Sequence, residues 1–427
     1  MNLATKTLIG ILMGIGTGLG LSIYAPVVYD PLNNYIFDPV GSLFIKAIQM
    51  VVIPLVFSAI VTSITATGSV KKLGQLGTRT MSLFVITTII ACTVGILTTI
   101  VVGPGINVTL PEHATSLSDG SSGGHGSSSS DTTKPPTLKE TVLNIIPSNA
   151  IGAMATGNML QVLIFSIFFG IAMAILGEKA ETMRILVNQL NELMMKLVQI
   201  FMKVIPYAAF ALVAEAMGNA GIELVGSIAK YLMAILIGLA IQVFIVYGSM
   251  LAFLSKTNPF DFFRKMMPAI GTGFATSSSA ASLPITKSCC ENELKMSKNV
   301  SSFVLTLGMT MNMNGASLSH GVAAVFVAQL NGIHLGFTEY LTIIFISLLA
   351  SVGAPAIPGG GFVSLSMIFL AVGLPIEGVG IAIIMGLFRL VDMPLTSVNV
   401  LGDAVCASVI DKKLNYSTQL KDQSAVT

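Results

Sequence analysis

The chain has 427 residues, of which 53% are hydrophobic and only 10% are Asp, Glu, Lys or Arg, and its net charge is +2. A soluble globular protein carries roughly a quarter charged residues, so that class is excluded, and so small a charge gives no sign of a nucleic-acid partner. Cys92, Cys289, Cys290 and Cys406 lack metal-ligand spacing, and adjacent Cys289 and Cys290 are poorly placed to bridge, so neither a structural metal nor a disulfide framework is expected.

In chain order, the window Thr7–Tyr29 follows a single Lys6 and has no clear small-residue cleavage site, so it reads as a retained helix. Residues 26–40 read as a loop holding Asp30 and Asp38 but no Lys or Arg. The windows 81–102 and 231–254 are each apolar over a full bilayer crossing of about 20 residues. Basic residues gather at Lys71, Lys72 and Arg79, at Lys179 and Arg184, at Lys256, Arg264 and Lys265, and at Lys412 and Lys413. The Lys/Arg bias places those loops and both termini in the cytoplasm of a multi-pass protein in the cell (inner or plasma) membrane, in contact with lipid. Residues 103–140 are rich in Ser and Gly, cannot bury a core and fall outside the cell, so His113 and His125 there are solvated. Lys46, Lys203, Lys230 and Glu215 lie near span ends and snorkel to the interface.

Beyond residue 257 the apolar stretches shorten and are interrupted by TSSSAASLP at 276–284, TMNMNGAS at 310–317 and SVGAPAIPGGG at 351–361. Irregular backbone at membrane depth is tolerated only where it is packed in protein or lines a wet cavity. The pattern predicts two re-entrant helical hairpins, 258–292 and 337–372, with tips at 276–284 and 353–361. A helix over about 296–326 runs between them, and an amphipathic helix over about 375–411 follows. Small side chains at the first tip let the backbone turn, while the hydroxyls of Ser278 and Ser279 and freed amides face a polar ligand. Paired interrupted segments of this kind mark a transport site near the midplane of the membrane.

Two polar constellations stand out. Asp392, Thr396, Asn399 and Asp403 are spaced i, i+4, i+7 and i+11, on one face of the last helix, and Arg389 extends the stripe. A carboxylate at membrane depth is expensive and faces an interior or a cation. Asp392 either meets such a partner or pairs across one turn with Arg389. Asp403 has no cation near it in sequence and reads as a metal or substrate ligand. The second constellation is Gly308, Asn312, Met313 and Asn314, where local unwinding would free carbonyl oxygens for a small hard cation. The alternative for the two Asn residues is hydrogen bonding between helices. His320 reads equally as a proton carrier or as a hydrogen-bonded helix residue.

These motifs resemble the dicarboxylate/amino acid:cation symporter family, which includes glutamate and neutral amino-acid transporters. The similarity runs through VVIPLVFSAIVTSI at 51–64, TTIIA at 87–91, IIPSN at 145–149, TSSSAASLP, NMNG, AIPGGG and VNVLGD at 398–403. The resemblance implies an all-α membrane protein of eight transmembrane helices plus two re-entrant hairpins, with inverted repeats, working as a homotrimeric elevator. It would place scaffold helices 1 and 2 in 1–80 and transport-domain helix 3 in 81–102. The extracellular loop 103–140 would follow, then scaffold helices 4 and 5 in 141–228, the rest of the transport domain in 229–413 and a cytoplasmic tail in 414–427. It implies a first sodium site at Gly308, Asn312, Asn399 and Asp403. A second would lie at Ser351, Val352 and Ala354 with Thr310 and Met313, and most of a third at Thr87, Thr88 and Asn312, where Asn314 replaces the usual carboxylate. Substrate would meet Ser278, Ser279, Val352 and Gly353 at the tips, with Thr310 and Thr396 nearby. Asp392 would take the amino group and Asn399 the α-carboxylate.

This chain departs from that pattern in having Leu395 where acidic-substrate members have arginine, and Phe388 where an aspartate is common. A second substrate carboxylate facing Leu395 would be desolvated and unpaired, a cost of several kcal/mol. The expectation is therefore a sodium-coupled symporter, with proton movement through His320 as a further element, for a small neutral amino acid. The rival is a sodium- or proton-coupled carrier of dicarboxylates or acidic amino acids that recruits Arg389. An enzyme is not expected, because the tip serines have no paired base. A channel is not expected either, because two re-entrant gates suit occlusion.

Overall fold

The computed structural model describes residues 3–66, 74–106, 146–156, 159–221, 223–353, 360–375 and 379–424. Among them the regular structure is helical, as a chain that must satisfy its backbone without water requires. In chain order the helices are α1 (Leu3–Tyr24), α2 (Pro26–Leu32), α3 (Asp38–Ala66), α4 (Gly74–Val102), α5 (Ala150–Thr156), α6 (Met159–Leu176), α7 (Glu181–Met202) and α8 (Ile205–Ala220). They continue with α9 (Glu223–Ala240), α10 (Pro259–Thr276), α11 (Ser279–Ser288), α12 (Lys298–Met311), α13 (Asn314–Leu330), α14 (Phe337–Gly353), α15 (Gly360–Ala371) and α16 (Val379–Ser424). Wider π-helical turns follow α9 over Ile241–Tyr247 and Met250–Ser255.

Among the described residues four segments are long and apolar enough to cross a bilayer: Thr5–Tyr24, Leu76–Val102, Leu224–Ser255 and Val379–Lys413. The pair Ile164–Phe201 and Ile205–Asn219, bent by 59°, makes a fifth.

The chain divides into two compact units. The first takes Met1–Gly68, Asn107–Leu224 and Ser366–Gly386. Here α1 lies along α8 through a glycine stripe at i, i+4 and i+8. A Cβ at Gly14 would stand 2.7 Å from the Phe210 carbonyl oxygen, and one at Gly10 or Gly18 would overlap the carbonyl of Pro206 or Ala214. Close backbone approach through small residues is how helices associate where lipid removes any hydrophobic drive between them. The helix α3 packs on α6 and α7, and the Thr62 hydroxyl donates to Asn188 Oδ1 at 2.9 Å.

The second unit takes Ser69–Ile106, Val225–Leu365 and Leu387–Thr427. In it α13 packs against α4, α10 pairs with α11, and α14 packs on both α4 and α13. The part of α16 from Leu387 to Asp411 is almost entirely buried.

Several sequence-based boundaries move. The expected loop 26–40 is helical: α2, a π turn over Asn33–Phe37 and the start of α3 follow one another. Pro26 opens α2, at a position where its missing N–H costs nothing. The last helix runs to Ser424 rather than ending near 411, and so includes most of the expected tail. The helix expected over 296–326 is two helices, and the second reaches Leu330. The first hairpin's turn is only two residues, because the helix restarts at Ser279 and carries Pro284 inside it. The expected second hairpin falls on α14 and α15; most of its expected tip, with Ala354, lies outside the described residues. So do Lys71, Lys72, His113, His125 and nearly all of the 103–140 insertion.

Candidate transport site

The first tip owes its shape to the serine run. Ser277 closes α10 in the left-handed region at φ 50°, a conformation that few non-glycine residues adopt. Ser278 then caps α11, its Oγ accepting from Ala281 N at 3.2 Å, which satisfies one of the orphan donors of the new helix. Ser282 Oγ donates back to Ser278 O at 2.9 Å, and Ser277, Ser278 and Ser279 are all buried. The Ser278 hydroxyl is thus a cap first, and the α11 N-terminus is left as an end with donors in excess.

The α12–α13 break falls at Asn312 and Met313, whose backbones leave the helical region (φ −119°, ψ 60° and φ −92°, ψ 64°). The unwinding expected from the Asn pair is there, and with it the carbonyls at the end of α12, which have no intrahelical partners. Against the break lies Asp403 of α16, 4% exposed. Its Oδ1 accepts from Asn312 Nδ2 at 2.9 Å. Gly308 is there because nothing larger fits: a Cβ would stand 2.5 Å from Asp403 Oδ1 and 3.2 Å from the ring of Phe84. Asn399 Oδ1 accepts from Gly315 N at 2.7 Å, capping α13 across the helices. The Asn399 side chain is thereby held at the same break. One carboxylate among carbonyl and amide oxygens suits a small hard cation.

A second, wholly neutral network adjoins it. Thr87 Oγ1 donates to Asn312 Oδ1 at 3.1 Å, and Thr88 Oγ1 donates to Asn314 Oδ1 at 3.1 Å. Asn314 Nδ2 donates to the Tyr247 hydroxyl at 2.9 Å, which in turn donates to Val398 O at 3.3 Å. Tyr247 is fully buried, and Gly402 leaves the room for its hydroxyl. Sequence reasoning missed it: a lone Tyr in an apolar span resembles an interfacial anchor, and only the packing of the π turn turns it inward.

Other expected residues have local roles. Thr310 Oγ1 donates to Leu307 O and Ser351 Oγ to Leu348 O. Met313, Thr396 and Ser351 are buried; Val352 and Gly353 end α14. His320 is 1% exposed, with Nδ1 3.0 Å from Ser347 Oγ where α13 meets α14. Arg389 Nη1 and Asp392 Oδ2 are 3.9 Å apart, one turn along α16.

The profile described as the sodium:dicarboxylate symporter family matches residues 3–413. The chain belongs to that family. A proton/sodium-glutamate symport protein of Geobacillus stearothermophilus is 31% identical over 96% of this chain and 94% of the relative. The human excitatory amino acid transporter 2 is 30% identical over 96% of this chain and 78% of the relative. The mouse neutral amino acid transporter B(0) is 31% identical over 96% and 80%. This symporter family transports small molecules through the membrane with sodium or proton coupling, and is not a family of enzymes. Both glutamate and neutral amino acids appear in the relatives' names.

Proposed function

We propose that this symporter takes up a small neutral amino acid, such as serine, threonine or alanine, together with sodium. The observation that carries the reading is the buried Asp403 carboxylate held against the unwound α12–α13 junction by Asn312. That donor set gives a sodium ion one formal charge and several neutral oxygens. A second cation site would use the carbonyls of Ser351 and Val352 with Thr310 and Met313. One face of α16 then carries the substrate. Asp392 pairs with the ammonium, as a charge-assisted contact in a desolvated site demands, and the Asn399 amide donates to the α-carboxylate. The α11 N-terminus and the end of α14 close over it. Leu395, 3% exposed, offers an apolar wall to the side chain, which supports the neutral class.

In this proposal the transport cycle is run by a homotrimer in the cell membrane with eight spans, two re-entrant hairpins and cytoplasmic termini. Residues 1–80 and 141–228 form a static scaffold, and 81–102 and 229–413 a domain that moves as an elevator. His320 is the residue through which a proton would move. The test is uptake by the purified protein in liposomes, with a competition panel of amino and dicarboxylic acids. Saturable, sodium-gradient-dependent uptake of serine or alanine is expected. A panel in which no neutral amino acid competes contradicts the reading.

A further inference from the structure

We infer that the groove between α1 and α8, in the first unit, is a binding site for an anionic phospholipid. Nothing at the transport site contributes to it. The groove holds about 350 Å³, at the small end of the range for ligand pockets. Ile9 and Met13 of α1 and Pro206, Tyr207 and Phe210 of α8 line it, and Lys6 is its one charged lining residue among those described. Gly10 forms the floor. With no side chain it lets α1 touch the Pro206 carbonyl, while Ile9 and Met13 rise beside it, 41% and 58% exposed.

The groove is graded from charged to apolar along the helices. Lys6 stands one residue inside the span Thr5–Tyr24, and Met13 lies about 10 Å deeper, at 1.5 Å per residue. The two helices run parallel, since Gly10, Gly14 and Gly18 meet Pro206, Phe210 and Ala214 in turn. Lys203, exposed in the bend that leads into α8, therefore adds a second positive charge at the same end. Among the described residues neither lysine has a carboxylate partner, and the Tyr207 hydroxyl, on a side chain 72% exposed, bonds to no other group.

The Lys/Arg bias puts this end on the cytoplasmic side, where the leaflet carries anionic lipid and basic pockets between membrane helices take its headgroups. A lysine at a span end ordinarily snorkels to water; here an apolar groove runs on beneath it. A soluble phosphate would meet the lysines and leave the apolar walls unused. A zwitterionic phospholipid would fill the walls but bring an ammonium towards the lysines. An anionic phospholipid uses both ends, with its phosphate at Lys6, Lys203 and the Tyr207 hydroxyl and an acyl chain along Ile9, Met13 and Phe210.

The experiment is a thermal-shift titration of the purified full-length protein in detergent. The probes are phosphatidylglycerol and phosphatidylcholine with the same acyl chains, and glycerol phosphate as a headgroup without a tail. Phosphatidylglycerol should raise Tm saturably, as a ligand of the folded state does, and bind about tenfold more tightly than phosphatidylcholine. Lys6→Gln should weaken it about fivefold, and the double variant Lys6→Gln, Lys203→Gln about thirtyfold, from the worth of each lysine at an anionic surface. Lys6→Arg, which keeps the charge, should bind as wild type does. Met13→Trp, which fills the apolar end, should weaken both lipids and leave phosphatidylglycerol the preferred one. The lipid-free Tm of each variant is measured first, so that a folding defect is not read as lost binding. Equal affinity for the two lipids, or glutamine variants that bind like wild type, would overturn the inference. So would a Tm shift from glycerol phosphate as large as the lipid's, which would mark a site for free phosphate. A Met13→Trp protein that elutes with fewer subunits than wild type would mark the groove as a contact between copies, and would overturn it too.

Discussion

Glycine brings helices close in both units, but in the second it also makes room for a carboxylate, and that difference supports the proposed transport site. In the first unit Gly10, Gly14 and Gly18 bring α1 onto the carbonyls of α8. Hydroxyls there are satisfied within their own helices, as Ser58 is by Pro54 O, or by neutral groups of a neighbouring helix, as Thr62 is by Asn188 and Tyr29 by Glu215 O and Asn219. In the second unit Gly95, Gly315 and Gly321 likewise meet the carbonyls of Leu318, Leu395 and Cys92, but Gly308 admits a carboxylate. The buried polar groups there reach across helices, from Thr87, Thr88 and Tyr247 to Asn312 and Asn314, and from Asn312 to Asp403. A helix pair that needs only to hold can make do with neutral hydrogen bonds. One that must take up and release a charged ligand keeps polar groups at depth, at a cost that structure alone does not require.

That contrast can be broken in three places. The largest effect is expected at Asp403. Asp403→Asn removes the one formal charge at the break, so sodium-activated uptake should fall more than a hundredfold in liposomes while the protein still elutes as wild type. Sodium activation near the wild-type level would place the cation elsewhere. Next comes a paired comparison of glycines. Gly308→Ala forces a methyl group to 2.5 Å from Asp403 Oδ1, and the sodium concentration for half-maximal uptake should rise about tenfold. Gly14→Ala overpacks a contact between helices, costing on the order of 1–3 kcal/mol, and should lower Tm while leaving sodium activation of the folded protein unchanged. Should the two variants behave alike, the distinction between the units fails. The smallest effect is at the hairpin turn. Ser278→Ala removes an N-cap worth about 1 kcal/mol and should lower Tm slightly, with Ser278→Asn restoring it. Equal loss in both variants would show that the hydroxyl serves something other than the cap.

Much of this was legible in the sequence, because the cost of polar groups in lipid leaves few explanations for them. The NMNG run announced the helix break, and the i, i+4, i+7, i+11 spacing put Asp392, Thr396, Asn399 and Asp403 on one face of α16. The serine run announced a turn, although the small side chains and the Ser278 cap made it shorter than the nine residues the pattern suggested. Tyr247 was not legible: its inward direction comes from π-helical turns that leave no composition signal. Nor was the helical path of 26–40, which reads as a loop between basic clusters, although Pro26 starts a helix there and Pro31 is carried inside it.

The neutral network around Asn314 bears on the central claim, sodium-coupled symport with two ions per substrate. Its amide is already satisfied by Thr88 and Tyr247, and a site's hold on hard cations weakens as ligand charge is removed. The direct measurement is the reversal potential of serine flux in liposomes with fixed sodium and serine gradients. A slope corresponding to two sodium ions per serine is predicted. A three-sodium slope, or full transport without sodium, would contradict the account.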